Sequence, residues 1–518
     1  LPIGLHTANM VCFGWMHQTP ALNSNSEIPL YRQLFEHIAL QIRSGELTQG
    51  ERLPATRELA GQLGLNRTTV SAAYELLETE GLISGQVGRG SFVTGLPPVL
   101  GTARELAAHA PASPGVNWPQ LLERGDQGLS AQAGPVGRDV ISFVMSRPSR
   151  ELFPLDDFRA SCEAVLARHD LADILQLGSP SGYEPLRRYL LDGARAQGLA
   201  TAGDDLIVTN GCQQALDLIA RTLLRTGDVV AVEDPVYPGL KSLLTGMGVR
   251  LAGIPVGADG IDLPQLERVL SRERPRLLVV TSNFQNPTGA TLPLASRRAL
   301  LQAARSAGVP VVENDAYGEL RYEGEPLAAI KQLDDQSGTV LLRSFSKVSF
   351  PGLRVGWALG PKALIDRMRH AKESSDLHTD QLSQAVLLEF AESGRLAAHR
   401  ACMLEAGATR LSATLEACRE HLPPGARWTR PQGGMNVWVR LPEPLDAAQL
   451  VPRAQKEGVA YLPGRYFAVS RQDAGALRLS FAGLPPERIR HGLAILGRIF
   501  AGELEAASLN YEPAPAMV

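Results

Sequence analysis

The sequence predicts an α/β protein: a large body built on a mostly parallel sheet with helices on both faces, preceded by a small helical module closed by a β-hairpin. Three observations predict it. From about residue 140 onward, short β-rich runs bounded by glycine, proline or asparagine (DLIVTN, DVVAVE, RLLVVTSN, VPVVEND, TVLLRSF, RVGWALG) alternate with helical patterns such as GCQQALDLIARTLL. Strands buried on both faces by crossover helices read this way. Residues 28–95 hold amphipathic helical stretches and a glycine-rich hairpin, and residues 96–138 are rich in Pro, Gly, Ala and Ser, as a linker would be. At 518 residues the chain is too long for one core. The expected division is a flexible leader (1–27), the small module (28–95), the linker (96–138), the α/β body (139–507, with a smaller C-terminal α/β subdomain from about 370) and a tail (508–518).

Bulk properties bound the function. The chain is 44% apolar and 20% charged, with no apolar run approaching the ~20 residues that span a bilayer. The first 27 residues lack the basic start and clean apolar stretch of a signal peptide. Five cysteines, odd in number, scattered and without CxxC spacing, argue against disulfides and a metal site and fit a reducing cytoplasm. A net charge of −3 does not by itself favour nucleic acid.

In the front module, PLYRQLFEHIALQIRSG places Tyr31, Leu34, Phe35, Ile38 and Ile42 on one helical stripe. A second helix is predicted from about Thr56 to Leu63, broken at Gly64, and a third from Asn66, an N-cap, carrying Val70, Ala73, Tyr74 and Leu77 inward. Two short helices joined by a tight turn form the helix-turn-helix pattern, whose second helix meets DNA by its N-terminal end, here Asn66, Arg67, Thr68 and Thr69. The segment LISGQVGRGSFVTG reads as a wing with Arg89 and Gly90 near its tip. Residues 27–95 are not basic overall, but Arg52, Arg57, Arg67 and Arg89 fall at helix starts and wing, where phosphates and base edges would be met. PLYRQL, GERLPATRELAGQLGLNRTTVSAAYELLETEGL and GRGSFV resemble the winged helix-turn-helix of the GntR regulator family. Ala55 departs from the capping serine often found there, a role Thr56 could fill.

The body is organised around RSFSKVSFPGLRVGW. The sequence holds six lysines against 45 arginines, and none in its first 240 residues, so Lys347 at a strand exit invites a chemical reading. A desolvated lysine loses its proton and forms a Schiff base with an aldehyde, of which pyridoxal 5'-phosphate is the obvious candidate. Its phosphate needs a helix N-terminus and small donors: Gly211, Cys212 and Gln213, with Ser344, Ser346 and Arg354. Its pyridine nitrogen needs a carboxylate, and Asp315 follows the run VPVVEND. Asn286 and Tyr317 could donate to the ring hydroxyl, and Tyr237 could cover the ring face.

This ordered set resembles the fold-type I aminotransferase family along nearly all of residues 140–500. The resemblance implies Lys347 as Schiff-base lysine and proton shuttle, Asp315 as the pyridine-nitrogen partner, and Arg478, in GALRLSFAG, as the carboxylate-binding arginine of a substrate or effector. With the front module, the arrangement resembles the MocR-type subgroup of GntR regulators. That implies a homodimer with crossed-over winged helices on paired half-sites of double-stranded DNA, and an amino compound or the cofactor itself as effector. Ser146 stands for a family glycine, Ser149 for an acid, Leu177 for a tyrosine and Cys212 for a hydroxyl residue. Two functions are therefore weighed: a cofactor-dependent transcriptional regulator, and an aminotransferase acting on amino and 2-oxo acids with an accessory DNA-binding module.

Overall fold

The computed structural model describes residues 29–44, 47, 48, 50–79, 82–86, 90–94, 118, 140–470 and 472–509. The expected leader, the expected linker apart from Trp118, the tail beyond Leu509 and the wing residue Arg89 lie outside them. The chain divides into two compact units, Leu1–Asn117 and Trp118–Val518.

In the first unit, α1 (Leu30–Ser44), α2 (Thr56–Leu63) and α3 (Arg67–Thr79) precede an antiparallel hairpin of β1 (Ile83–Gln86) and β2 (Gly90–Val93). The periodic apolar stripes meet in one core: Leu34, Ile38 and Ile42 of α1 pack with Leu59 of α2 and with Val70, Ala73, Tyr74 and Leu77 of α3. Gly64, at φ 64°, ends α2 in the left-handed conformation that glycine adopts without strain. Two expectations are corrected. Tyr31 is 36% exposed, because in the first turn of α1 it lies beyond the reach of the other helices' apolar faces. Helix α2 starts from Ala55 without any side-chain cap, so Thr56 does not replace the missing serine.

The second unit contains β3 (Ile141–Ser142), β4 (Asp204–Thr209), β5 (Val229–Asp234), β6 (Arg250–Gly257), β7 (Gly260–Ile261), β8 (Leu277–Val280), β9 (Val311–Asn314), β10 (Thr339–Ser344) and β11 (Gly356–Pro361). Eight of these form one sheet in the order β4-β11-β10-β9-β8-β5-β6-β7. The run β10-β9-β8-β5-β6 is parallel, whereas β11 lies antiparallel to both its neighbours and β7 antiparallel to β6. Strand residues alternate between two helix-covered cores. Val312, Val340 and Leu342 pack on the side of helix Cys212–Leu223, while Val311 and Leu341 face the opposite side.

Beyond these come β12 (Arg427–Trp428), β13 (Asn436–Arg440), β14 (Val459–Ala460), β15 (Leu462–Pro463) and β16 (Ala476–Ser480). A four-stranded antiparallel sheet in the order β12-β13-β16-β15 is covered by helices Arg395–His421 and Pro486–Leu509. The short β3 pairs in parallel with β14, so residues 140–147, at the start of the continuous described stretch 140–470, are held by the C-terminal part of this unit.

The C-terminal ends of β8, β9 and β10 are cross-linked by a buried polar chain. Arg297, fully buried, donates to the carbonyls of Leu292, Ala328 and Ser282 at 2.9, 2.8 and 3.0 Å and to Asn283 Oδ1 at 2.6 Å. Asn283 Nδ2 then donates to Asp315 Oδ1 at 2.7 Å, and Arg343 Nε and Nη2 donate to Asp315 Oδ2 at 3.0 and 2.9 Å. Replacing Arg297 with Met would leave several buried acceptors unpaired, each at a cost of about 1–3 kcal/mol. We expect Arg297→Met to lower the stability of this unit by about 3–5 kcal/mol, read as a lower urea midpoint in the transition followed by tryptophan fluorescence.

Candidate cofactor and DNA-binding sites

At the C-terminal ends of the parallel strands, where ligands of such sheets bind, lies a cavity of about 370 Å³. Helix Cys212–Leu223 begins there, with Gly211 at φ 83° as its cap. A Cβ on Gly211 would stand 2.7 Å from Arg354 Nη2, and one on Gly356 would stand 2.8 Å from Gly211 Cα. Two glycines thus let β11, the helix start and the arginine close on one another. Arg354 donates to Asn210 O at 3.0 Å and reaches Ser346 Oγ at 3.4 Å; Ser344 Oγ donates to Ser346 Oγ at 2.9 Å. The motif residues Cys212, Gln213, Ser344, Ser346 and Arg354 all line the cavity.

Lys347 lines the same cavity. Its Nζ donates to Ser146 O at 2.6 Å and lies 5.5 Å from the Tyr317 ring centroid. Burial lowers its pKa to about 8, with the Arg478 and Arg354 cations acting in the same direction. Arg478, 4% exposed, donates to Asn286 Oδ1 at 3.0 Å and to Val144 O, and burial lowers its pKa to about 10. Asn286 Nδ2 in turn reaches Tyr317 Oη at 3.4 Å. Tyr237 also lines the cavity. Burial pushes the Cys212 thiol up to about 12, so it faces the cavity as a neutral S–H.

Two expected residues do not line the cavity: Gly211, which caps the helix that begins there, and Asp315. Asp315 lies outside the cavity lining, engaged on the far side by Asn283 and Arg343. The reason is strand parity: Val311, Glu313 and Asp315 point to one face of the sheet, Val312 and Asn314 to the other. Asn314, which the motif reading passed over, lines the cavity instead, and its Oδ1 is buried without a hydrogen-bond partner. Thr281 is a second lining residue passed over. Of the four departures, Ser146 contributes its carbonyl to Lys347 and its hydroxyl to Asn436 Oδ1 at 2.5 Å. Ser149 is buried, and Leu177 is 71% exposed.

In the first unit, Asn66 Oδ1 accepts from Thr68 N at 3.1 Å and caps α3 as expected. Asn66, Arg67 and Thr68 are exposed at the α3 start, Thr69 half-buried beside them, and Arg57 exposed at the start of α2. Arg52 packs its guanidinium against Gly90, where a Cβ would stand 3.0 Å from Nε, so these two meet at the hairpin.

Two architectures therefore share one chain: a winged helix-turn-helix of the GntR type and a fold-type I aminotransferase body. The sequence matches the bacterial regulatory proteins of the gntR family over residues 30–93 and aminotransferase class I and II over residues 156–496. It is 31% identical to the probable rhizopine catabolism regulatory protein MocR of Rhizobium meliloti, over 96% of this chain and 98% of the other. It is also 38% identical to the 2-aminoadipate transaminase of Thermus thermophilus over 70% of this chain and 91% of that one. Among solved structures, the multiple substrate aminotransferase from Thermococcus profundus superposes with a TM-score of 0.69 at 34% identity, covering 78% of this chain and 98% of that one. The chain belongs to the MocR-type family of GntR transcriptional regulators, whose body is a class I and II aminotransferase domain.

Aminotransferases of this class bind pyridoxal 5'-phosphate, and the cavity fits that group. Its lining includes three cations, Lys347, Arg354 and Arg478, and no Asp or Glu, which suits an anionic ligand. Buried Gln213 Oε1, Asn314 Oδ1 and Arg478 Nε lack hydrogen-bond partners within the protein. Because the glycine contact is backbone against backbone, Gly356→Ala must spread β11 from the helix start, an overpacking cost of about 1–3 kcal/mol. We expect cofactor affinity to fall about tenfold or more for that variant, measured by absorbance titration.

Proposed function

We propose that this chain acts as a cytoplasmic homodimer that binds paired DNA half-sites through its winged units and reports occupancy of the cofactor cavity to them. The division of labour follows the expected domains: residues 28–95 for DNA, 96–138 as linker, 139–507 for the cofactor. In this reading Lys347 holds the cofactor covalently, while the helix start at Gly211, Cys212 and Gln213, with Ser344, Ser346 and Arg354, holds its phosphate. Asn286 and Tyr317 meet the ring hydroxyl, Tyr237 covers the ring, and Arg478 receives the carboxylate of an amino effector. When bound, the cofactor supplies an aldehyde that takes up an amine with loss of water and a ring that draws electrons from the new bond.

The observation that carries the regulatory reading is the 2.6 Å hydrogen bond from Lys347 Nζ to Ser146 O. Ser146 belongs to the segment that follows the linker, and Arg478 holds the same segment at Val144 O. An amine committed to a ligand no longer donates its protons to that carbonyl, so occupancy changes the grip on residues 140–147. A ligand shifts a conformational equilibrium only by its differential affinity for the two states, and this contact supplies such a difference.

The test is a gel-retardation assay on operator DNA with and without pyridoxal phosphate, beside absorbance spectra. We expect Arg67→Ala to weaken DNA binding about tenfold while leaving the cofactor spectrum intact, in line with the ~1–3 kcal/mol of a good base contact. Lys347→Ala should abolish the visible band and make retardation indifferent to the cofactor. Retardation that ignores both cofactor and Lys347→Ala would remove the sensing half of the reading. Because the Lys347 amine is protonated below about 8, cofactor capture should slow about tenfold per pH unit below that value and level off above it. Stopped-flow absorbance from pH 6.5 to 9.5 measures this.

A second reading, catalytic transamination, is favoured by the buried Arg478 guanidinium facing the same cavity as Lys347. Release of 2-oxo acid from an amino acid, with reversal on adding a second oxo acid, would support it.

A further inference from the structure

The residue presented where β9 opens into the cavity is an amide. Among the lining residues there is no carboxylate, while Lys347, Arg354 and Arg478 all contribute positive charge. The acid next in sequence, Asp315, cannot turn inward without abandoning the three hydrogen bonds that bind it to Asn283 and Arg343 and without moving across the plane of the sheet. Asn314 is unencumbered by comparison, with its Oδ1 buried and unpartnered.

We infer that Asn314 is the side chain that faces the pyridine nitrogen of the bound cofactor, and that this nitrogen is held unprotonated. The inference rests on the reading of the cavity as the pyridoxal phosphate site. An opposite charge at contact distance raises the pKa of a basic nitrogen by about 1–3 units, and a neutral amide forgoes that gain. An amide still positions the ring, since its N–H donates to an unprotonated nitrogen. The nearby cations oppose a further proton on the same ring. An unprotonated ring draws electrons weakly, so a site of this composition binds the cofactor and an amino ligand without driving proton abstraction from the ligand. The geometry points to a positioning residue suited to sensing, with turnover lost at the residue that would tune the ring.

The experiment uses the full-length protein loaded with pyridoxal phosphate labelled with ¹⁵N in the ring. The wild-type resonance is expected at the position of an unprotonated pyridine from pH 6.5 to 8.5. In Asn314→Asp it is expected to move to the protonated position, and formation of 2-oxo acid from amino-acid substrates in one turnover should accelerate at least about tenfold, the equivalent of one pK unit. A protonated wild-type resonance would overturn the inference with no variant needed, and that result also covers a carboxylate delivered by a second chain. An Asn314→Asp protein that loads cofactor but keeps the wild-type resonance would overturn it as well. Absence of any cofactor band in the wild type is a different result, which removes the cofactor reading itself and the inference with it.

Discussion

Asp315 is a carboxylate with no water to meet, and its two oxygens are satisfied by an amide from the loop after β8 and a guanidinium from β10. Buried polar groups of this kind stabilise only when fully paired, and then they fix a single arrangement. The arrangement fixed here is the relative height of three strand ends. Arg297, joined to the same chain through Asn283, closes it from the helix Leu294–Ser306. Everything that lines the cavity from the sheet inherits its direction from this network. With Asp315 and Arg343 committed to one face, their neighbours Asn314 and Ser344 are committed to the other.

The opposite wall of the cavity is built differently. Residues 140–147 come from the start of the body and are held by a two-residue parallel pairing with β14, by burial of Ile141, Phe143 and Val144, by hydrogen bonds from Ser480 to the Phe143 and Met145 carbonyls and from Ser146 to Asn436, and by carbonyl contacts to Arg478 and Lys347. One wall is thus cross-linked through buried charges, and the other is held by apolar packing and backbone contacts, two of them to the side chains proposed to meet ligand. Under the proposed function these two contacts tie ligand binding to the segment nearest, along the chain, to the DNA-binding unit.

Much of this was legible in the sequence wherever a signal is local. The core of the winged unit follows from a 3.6-residue period, and it fails only at Tyr31, where the first helical turn outruns its partners. The cavity motifs around Gly211, Ser344, Lys347 and Arg354 are strand-exit segments whose neighbours along the chain are also neighbours in space. The segment VPVVEND contains two adjacent polar residues, and which of them, Asn314 or Asp315, lines the cavity depends on which face of β9 is the cavity face. The period of two holds the answer: Val312 shares its face with Leu216 of the helix that opens the cavity, so Asn314 does too. No local pattern marks Thr281, Val144 or Asn436, because only the folded sheet brings them near.

The scarcity of lysine takes on a chemical meaning once its six positions are seen together. Lys331 is paired with Asp204 in the interior at 2.7 Å, Lys372 with Asp376 at 2.8 Å, and Lys241 donates to the Ala468 carbonyl at 2.6 Å. Lys362 and Lys456 are exposed to solvent, away from the cavity. Arginine, which supplies nearly all the remaining positive charge, does not lose its proton in proteins and offers an aldehyde no competing nucleophile. Lys347 is the one lysine in the lining of the cavity, so under the proposed function an aldehyde seated there meets a single side-chain amine.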